Sequence, residues 1–258
     1  MQKPPQFTQA YLEAFQDRDV VGAYRYRPPY PSAVFEVLKG LIRTRPRLIL
    51  DAGCGTGNLA RPLVAHVERV DAVDRSREMI AHGRRLPQGD HPRLRWIEGR
   101  IEDVALESSY ALVMAGESLH WMEWAIVLPR FRHALTPGGY LAIVTHDTTP
   151  DAGSILGEIV PLYRDGGYEP FDLIGQLEQH DLFTMVGETQ VGPLPFRQSV
   201  DDFIESYHSR SGFSRERMGA AKASAFDEEV RRLLVSSDGA AMLTLQVTAS
   251  VVWGLPRG

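Results

Sequence analysis

The sequence of 258 residues contains a single cysteine, Cys54, which excludes an intramolecular disulfide and fits a reducing compartment. It also lacks a long apolar run: no stretch approaches the ~20 residues of a transmembrane helix. Its first residues, MQKPPQ, have no apolar core of the kind found in signal peptides. We therefore expect a cytoplasmic protein that does not enter a membrane.

An excess of basic charge is absent as well. The chain has 28 lysines and arginines against 33 aspartates and glutamates, which gives a net charge of -5 and a pI of about 5.9. Proteins dedicated to nucleic acids usually carry a basic field, so we expect no nucleic-acid partner. No run of His, Asp and Glu has the clustering of metal ligands, and we expect no metal.

The most informative stretch is residues 48–57, which read LILDAGCGTG. Its three consecutive aliphatic residues are typical of a short strand that is buried on both faces of a parallel sheet. Asp51 ends the strand, and three alternate glycines then allow a tight turn against which a ligand can lie close to bare main chain. Residues 58–65 have the pattern of a helix. This strand, turn and helix predict a nucleotide-type site.

The acid and the glycine spacing separate two kinds of nucleotide site. A dinucleotide fingerprint reads G-x-G-x-x-G and directs a helix N-terminus at a pyrophosphate, whereas this turn reads G-x-G-x-G after Asp51. A carboxylate at this position repels a pyrophosphate but suits a ligand with a cationic amine or sulfonium. The stretch resembles the D-x-G-x-G-x-G motif of class I S-adenosylmethionine (SAM) dependent methyltransferases. The resemblance implies a cofactor site formed by Asp51, Gly53, Cys54, Gly55, Thr56 and Gly57, with Cys54 as a small neutral spacer.

A second acid supports an adenosine site. Residues 67–74 predict a second strand, and Asp74 falls about 20 residues after the turn, where a carboxylate accepts hydrogen bonds from both ribose hydroxyls. NAD enzymes share this feature, so it does not separate the two classes. The resemblance adds Arg75 and Met79 to the cofactor site, with Met79 against the adenine face.

The loop after a third predicted strand, residues 94–98, holds the adenine in the resembled family. The residues alone leave Glu102 and Asp103 open as the acid that binds the exocyclic amine. The family pattern favours Ile101 and Glu102.

The fourth predicted strand, residues 110–115, is followed by the sequence GESLHW. In a doubly wound sheet, the residues after the first and fourth strands face each other across the ligand. The Leu-His-Trp sequence is similar to the matching motif of the trans-aconitate and the ubiquinone/menaquinone biosynthesis methyltransferases. The resemblance places Ala115, Gly116, His120 and Trp121 at the cofactor.

The segment YRYRPPYP, residues 24–31, precedes the first strand, and its prolines predict a stiff, extended backbone. One interpretation is a linker that packs its tyrosines on the domain. The resemblance implies another, since a similar Tyr then Arg-Pro-x-Tyr-Pro segment lies over the cofactor in many small-molecule methyltransferases. It makes Tyr24, Arg27 and Tyr30 candidate substrate-binding residues.

The remaining pattern completes an α/β fold. A helix over residues 124–135 leads to Leu-Thr-Pro-Gly-Gly and a fifth strand, residues 140–145, which is another hallmark of the resembled fold. Later helices are predicted over 153–165, 172–180, 201–209 and 215–234, and strands over 184–193, 196–199 and 242–253. We expect a doubly wound, Rossmann-like sheet of seven mostly parallel strands, the last one antiparallel, with helical lid insertions.

The expected domain division follows the chain. Residues 1–45 form an N-terminal helical or lid segment, 46–146 the SAM-binding Rossmann-like core, and 147–258 a C-terminal part with lid insertions and the closing strand hairpin.

The resemblance implies an enzyme that transfers a methyl group from SAM to oxygen, nitrogen or carbon of a small molecule and releases S-adenosylhomocysteine. Such a transfer is an in-line displacement, in which positioning in a water-poor pocket supplies much of the catalysis. His120 is the best-placed candidate base, and Tyr24 is a second one. A carboxylate acceptor needs no base, and Arg27 is a candidate to hold it by bidentate pairing.

Two other hypotheses compete with this one: an NAD-dependent oxidoreductase, and a SAM-binding protein without methyl transfer. The identity of the acceptor and the choice between monomer and homodimer stay open.

Overall fold

The computed structural model describes residues 4–107, 109–150, 153–164, 169–235 and 242–257. Its strands are β1 (Leu48–Ala52), β2 (Arg69–Asp74), β3 (Leu94–Glu98), β4 (Tyr110–Gly116), β5 (Leu135–Pro150), β6 (Phe183–Ser199) and β7 (Met242–Pro256). These strands form one seven-stranded sheet in the order β3-β2-β1-β4-β5-β7-β6.

The helices that the structure describes are α1 (Gln9–Glu13), α2 (Arg18–Ala23), α3 (Ser32–Leu41), α4 (Ala60–Leu63), α5 (Arg77–Gly83), α6 (Trp124–Ala134), α7 (Gly153–Tyr163), α8 (Leu173–Gln179), α9 (Val200–His208), α10 (Arg215–Met218) and α11 (Ala220–Leu234). None of these described helices has the length and apolar character needed to cross a membrane.

The sheet is mixed but mostly parallel. The pairs β1 with β2, β1 with β4, β2 with β3, and β4 with β5 all run parallel. Ile49 and Leu50 of β1 and all of residues 110–115 in β4 are buried, as expected for central parallel strands. The strand order reverses at β1, so the carboxyl ends of β1 and β4 border the crevice where doubly wound proteins bind ligands. The predicted fold class is confirmed.

The chain forms two compact units, each built from separate segments. The sheet unit comprises Tyr30–His146, Asp172–Val191 and Ala249–Gly258, and the helical unit comprises Met1–Pro29, Asp147–Phe171 and Gly192–Thr248. The strands β5, β6 and β7 contribute residues to both.

The helical unit has an aromatic core of its own. In α11, buried apolar residues recur at helical spacing, at Ala223, Phe226, Val230 and Leu234. The ring of Phe226 lies 5.2 Å from that of Phe213 and 5.6 Å from that of Tyr207, measured between centroids. Such aromatic contacts stabilise a core beyond the area that they bury.

The structure corrects three details of the sequence prediction. Residues 24–26 form a 3-10 turn, so only the later part of YRYRPPYP is extended. The helix predicted over 215–234 is broken at Gly219, whose φ of 79° a helix cannot contain. Strand β6 is continuous from 183 to 199, and β5 extends the predicted fifth strand at both ends. The end of the helix predicted over 153–165 lies outside the described residues.

A buried carboxylate in β2 links three strands of the sheet unit. Asp71 is fully buried and accepts hydrogen bonds from Arg69, from both Nε (2.8 Å) and Nη2 (2.7 Å) of Arg95, and from the Tyr110 hydroxyl (2.6 Å). Arg95 in β3 is the register partner of Asp71. Glu107 pairs with both arginines. Arg69 and Arg95 are thus each paired with both Asp71 and Glu107 at the edge of the sheet.

We expect the substitution Asp71→Ala to lower the free energy of unfolding by about 3 kcal/mol, because it removes one partner of a buried ionic network. The control is Asp201→Ala, which breaks the exposed 2.8 Å pair with Arg231 and should cost under ~1 kcal/mol. Urea unfolding followed by circular dichroism measures both. Equal losses in the two variants would show that the network adds no stability of its own.

Candidate active site

Backbone geometry explains the three alternate glycines after β1. Gly53, Gly55 and Gly57 have φ values of 69°, 53° and 78°, which residues with a side chain rarely adopt. A Cβ atom on Gly53 would lie 2.7 Å from the Cβ of Ser118, which is closer than two such carbons can approach. Ser118 donates a hydrogen bond from Oγ to the Ala52 carbonyl at 2.6 Å. The ends of β1 and β4 are thereby fastened together beside the turn.

Asp74, at the end of β2, holds the turn from the other side. One carboxylate oxygen accepts a hydrogen bond from the Gly55 N–H and the other from the Ser76 N–H, both at 2.7 Å. Burial raises the pKa of Asp74, and these two N–H groups oppose the rise. Each carboxylate oxygen has a second lone pair, so Asp74 keeps acceptor positions for two ligand hydroxyls.

Asp51 lies at the end of β1 and is 2% exposed. It accepts a hydrogen bond from the Ala60 N–H at 3.1 Å. Burial raises its pKa from 3.8 to about 7, and the negative charge of Asp74 adds to the rise. The ionised form of a carboxylate with a raised pKa is stabilised when a cation binds next to it.

The thiol of Cys54 is neutral in this setting. Burial, followed by the charges of Asp74 and Asp51, raises its pKa well above the ordinary value. The chemistry therefore agrees with a spacer, because a nucleophilic cysteine needs a lowered pKa.

Two further side chains, those of Arg61 and Trp96, contact the glycine turn, although no sequence motif indicated them. Arg61 donates to the Thr56 carbonyl at 2.9 Å and to Asn58 Oδ1 at 3.0 Å. The Trp96 ring lies so close to the turn that a Cβ on Gly57 would be 2.7 Å from it, and a Cβ on Gly83 2.6 Å. No sequence motif indicates either of these contacts with the turn. Trp96 belongs to β3 and has the pattern of an ordinary strand residue.

The predicted adenine loop follows β3. Ile101 is buried, and Glu102 is half-buried with Oε1 accepting the Glu123 N–H at 3.0 Å. Arg100 lies 3.6 Å from Glu102. Asp103, the alternative acid, is exposed, and thus Glu102 is the more enclosed of the two neighbours.

The Leu-His-Trp sequence forms a 3-10 turn directly after β4, residues Leu119–Trp121. His120 and Trp121 are both half-buried, and their ring centroids are 5.1 Å apart. Arg75 is half-buried beside Asp74, whereas Met79 is only 1% exposed. Met79 therefore acts as core in this structure, below the surface of the crevice.

Tyr30 belongs to the sheet unit and reaches the end of β4. A Cβ on Gly116 would lie 2.9 Å from the Tyr30 hydroxyl, so the glycine makes room for it. The Tyr30 ring lies 5.2 Å from that of His146. His146, which the sequence did not indicate, donates its backbone N–H to Glu117 at 2.6 Å. Glu117 has a φ of 52°, a conformation that often marks functional sites.

Tyr24 and Arg27 belong to the helical unit and contact each other there. The Arg27 guanidinium lies 4.1 Å above the Tyr24 ring centroid and donates to the Tyr24 hydroxyl at 3.2 Å. It also donates to the hydroxyl and the carbonyl of Ser209, each at 2.7 Å. The structure thus pairs two of the three candidate substrate residues, and Tyr30 lies in the other unit.

The reversal of strand order at β1 and the acid-glycine turn at its end define a class: doubly wound α/β proteins with a candidate nucleoside-cofactor site at the switch point. Comparisons with known proteins identify the domain. Residues 49–139 match the methyltransferase domain family. The match confirms the resemblance to class I methyltransferases that the sequence shows.

Relatives of known sequence agree with that assignment. An uncharacterized methyltransferase of Mycobacterium tuberculosis is 34% identical over 150 residues, which are 57% of this chain and 58% of that protein. A trans-aconitate 2-methyltransferase of Pseudomonas aeruginosa is 34% identical over 113 residues, which are 42% of this chain and 39% of that protein. The chain thus spans less than two thirds of the length of these relatives.

The fold is shared with solved structures. A protein described as a type II methyltransferase from Anaeromyxobacter dehalogenans superposes with a TM-score of 0.64 at 23% identity, over 90% of this chain and 99% of that one. At this identity the likeness establishes the fold alone.

The raised pKa of Asp51 makes a prediction about stability. Its folded pKa of about 7 lies above the ordinary 3.8, so ionised Asp51 destabilises the folded state above pH 7, by up to roughly 4 kcal/mol. We expect Asp51→Asn to raise the melting temperature at pH 8, and the gain to shrink as the pH falls towards 4. Thermal unfolding at several pH values measures this difference.

The control is Asp90→Asn, a substitution of an exposed carboxylate, which should leave the melting temperature almost unchanged. A pH-independent gain for Asp51→Asn would contradict a pKa near 7.

Proposed function

We propose that the protein is a SAM-dependent methyltransferase that methylates a small-molecule acceptor and releases S-adenosylhomocysteine. The observation that carries the proposal is a pair of carboxylates, the buried Asp51 and the half-buried Asp74, on the two sides of a glycine turn within a segment that matches the methyltransferase domain family. SAM supplies an electrophilic methyl group on a sulfonium together with a cationic amine and a ribose diol. Asp74 would complement the ribose diol, and Asp51 would complement a cationic group of the cofactor.

The residues of the turn fit this cofactor for separate reasons. Asp74 retains acceptor positions for two ribose hydroxyls, as described above. Asp51 offers a buried negative charge to a cation, and the bare main chain at Gly53 and Gly55 admits a ligand at close range. The proposed cofactor contacts are Asp51, Gly53, Cys54, Gly55, Thr56, Gly57, Asp74, Arg75, Ile101, Glu102, Ala115, Gly116, His120 and Trp121, with Met79 behind them as core.

The catalytic roles proposed for the chain are few. In-line displacement depends on positioning and on exclusion of water, which the ring pair His120 and Trp121 at the end of β4 would provide. Neutral imidazole at His120 is the proposed base for an acceptor that carries a proton, and Tyr24 is the second candidate. Tyr30 would line the acceptor side next to Gly116.

The helical unit is the proposed lid over the acceptor. It contains the inserted helices α7, α9, α10 and α11, which the matched methyltransferase domain, residues 49–139, does not include. The proposed setting is a cytoplasm in which Cys54 stays a thiol. We propose no nucleic-acid partner, since the net charge is -5.

Isothermal titration calorimetry with SAM tests the function. We expect micromolar binding of SAM and of S-adenosylhomocysteine and no binding of NAD. Asp74→Ala should lose at least ~100-fold in affinity for SAM, because it removes a half-buried carboxylate that would accept two hydroxyls. Asp90→Ala, at an exposed position, is the control. Binding of NAD in place of SAM would refute the proposal, and SAM binding without turnover on any acceptor would favour a binding protein.

Proton release during that titration tests Asp51. Its pKa of about 7 in the free protein should fall when a cationic ligand lies beside it, so the protein releases a proton on binding SAM at pH 6.5. Affinity should then weaken as the pH falls below 7. Titrations in two buffers with different ionisation enthalpies measure the proton, and Asp51→Asn should abolish its release. The same release in Asp51→Asn would assign it to another group.

A further inference from the structure

The sheet unit has a cavity at the end of the sheet opposite the candidate active site. Its volume is about 530 Å³, within the range of roughly 300 to 1,000 Å³ that is common for small-molecule sites. All of its lining residues belong to the sheet unit. One of them, Leu135, pairs with Tyr110 at the start of β4, whereas the other end of β4, at Gly116, borders the candidate active site. A strand of this length spans roughly 20 Å, so the cavity is a separate concave surface.

An excursion of the β5 main chain forms one wall of the cavity. The register between β4 and β5 shifts between Tyr110 and Leu112, where a single residue of β4 lies opposite residues 136–139 of β5. These four residues all line the cavity. Gly138 has a φ of 82°, which residues with a side chain rarely adopt. The Thr-Pro-Gly-Gly sequence therefore does more than precede a strand, because it shapes a concave surface.

Arg257, which follows β7, is held beside the cavity by three contacts. Its backbone N–H donates to the Leu182 carbonyl at 2.8 Å, its Nε donates to the Thr184 hydroxyl, and its Nη1 lies 3.0 Å from Asp181. The two N–H groups on Nη2 have no acceptor among the residues that the structure describes. The guanidinium is thus fixed in position and still able to donate to a ligand.

The lining of the cavity combines positive charge with apolar surface. Arg132, in the last turn of α6, lines the cavity together with Arg257, and within the described part of the chain no acidic side chain does. Asp181 is 79% exposed, so it offsets the charge of Arg257 only weakly. Leu255 is 46% exposed although it lines a concave surface. The other apolar residues of the lining are Leu135, Pro137 and Pro256. These features complement an anionic group attached to an apolar body.

We propose that this cavity binds a small amphipathic anion, a carboxylate on an aliphatic chain, with the carboxylate on Arg257 and the chain along Leu255. The site is separate from the proposed cofactor site and does not depend on the proposed function. The alternative role of the two arginines is structural. Arg257 fastens the end of β7 to β6, and Arg132 lies at the C-terminus of α6, where a cation stabilises the helix dipole. A purely structural role affects unfolding without affecting the binding of anions.

Isothermal titration calorimetry of the full-length protein with octanoate, acetate and octanol tests the proposal. We expect octanoate to bind with a dissociation constant of about 0.1 to 1 mM. Acetate and octanol should bind at least tenfold more weakly, because acetate lacks the aliphatic chain and octanol lacks the charge. Saturation with S-adenosylhomocysteine should leave the octanoate affinity unchanged, since the two sites lie at opposite ends of the sheet.

Two variants locate the octanoate. Arg257→Met removes the cation, and Leu255→Asp places a like charge beside the carboxylate, so each should weaken octanoate binding at least tenfold. Leu255 is half exposed, and its substitution should leave the fold intact. The matched control is Arg231→Met: Arg231 is also about half exposed and paired with one aspartate, but it lies in the helical unit. This control should bind octanoate as the wild type does.

Five results would overturn the proposal. Absence of octanoate binding removes the site, and equal affinity for octanol removes the role of charge. An equal loss in Arg231→Met means diffuse charge attraction. Competition by S-adenosylhomocysteine moves octanoate to the candidate active site. A lower melting temperature of Arg257→Met with unchanged octanoate affinity leaves only the structural role. If S-adenosylhomocysteine itself fails to bind, the proposed function falls, and the variants titrated without it still decide this site.

Discussion

The candidate site depends on the attachment of a loose glycine turn to the end of β2. Three of seven residues in this segment are glycines, which have no Cβ to restrict the backbone, and such a segment loses much conformational entropy on folding. The N–H groups of Gly53 and Cys54 both donate to the Val73 carbonyl at 2.9 Å, and the Gly55 N–H donates to Asp74. Asp74 therefore shapes the turn before it meets any ligand. The same carboxylate that recognises the ribose in the proposed complex also organises the main chain that the ligand contacts.

The sequence predicted this part of the molecule well because its signals are local. An aliphatic run, an acid and alternate glycines occupy ten consecutive residues, and each one restricts the backbone by its own chemistry. The strand bounds of β3 agree with the prediction residue by residue, and β1, β2 and β4 differ by one or two residues. The doubly wound sheet of seven mostly parallel strands followed from the recognised fold.

The supporting contacts of the site escaped prediction because they join distant parts of the chain. Trp96 packs on Gly57 and Gly83 from positions 39 and 13 residues away, and its pattern within β3 is that of any partly buried strand residue. His146 lies within β5 and approaches Tyr30 only in the folded sheet unit. Tertiary contacts of this kind leave no periodicity in the sequence. The helix break at Gly219 is a smaller case, since an isolated glycine in a helical pattern is usually tolerated.

The two carboxylates of the crevice, the buried Asp51 and the half-buried Asp74, would couple the candidate site to the stability of the protein. Asp51 and Asp74 each raise the free energy of the folded state by their burial, and the charge of Asp74 adds to the pKa shift of Asp51. A fold selected for stability alone would replace one of them by a neutral residue. A cationic ligand relieves the repulsion and returns part of that free energy as affinity, and it stabilises the folded protein by mass action. The free-energy penalty of the two carboxylates in the free protein is thus partly offset in the complex, as expected of a site preorganised for a positively charged cofactor.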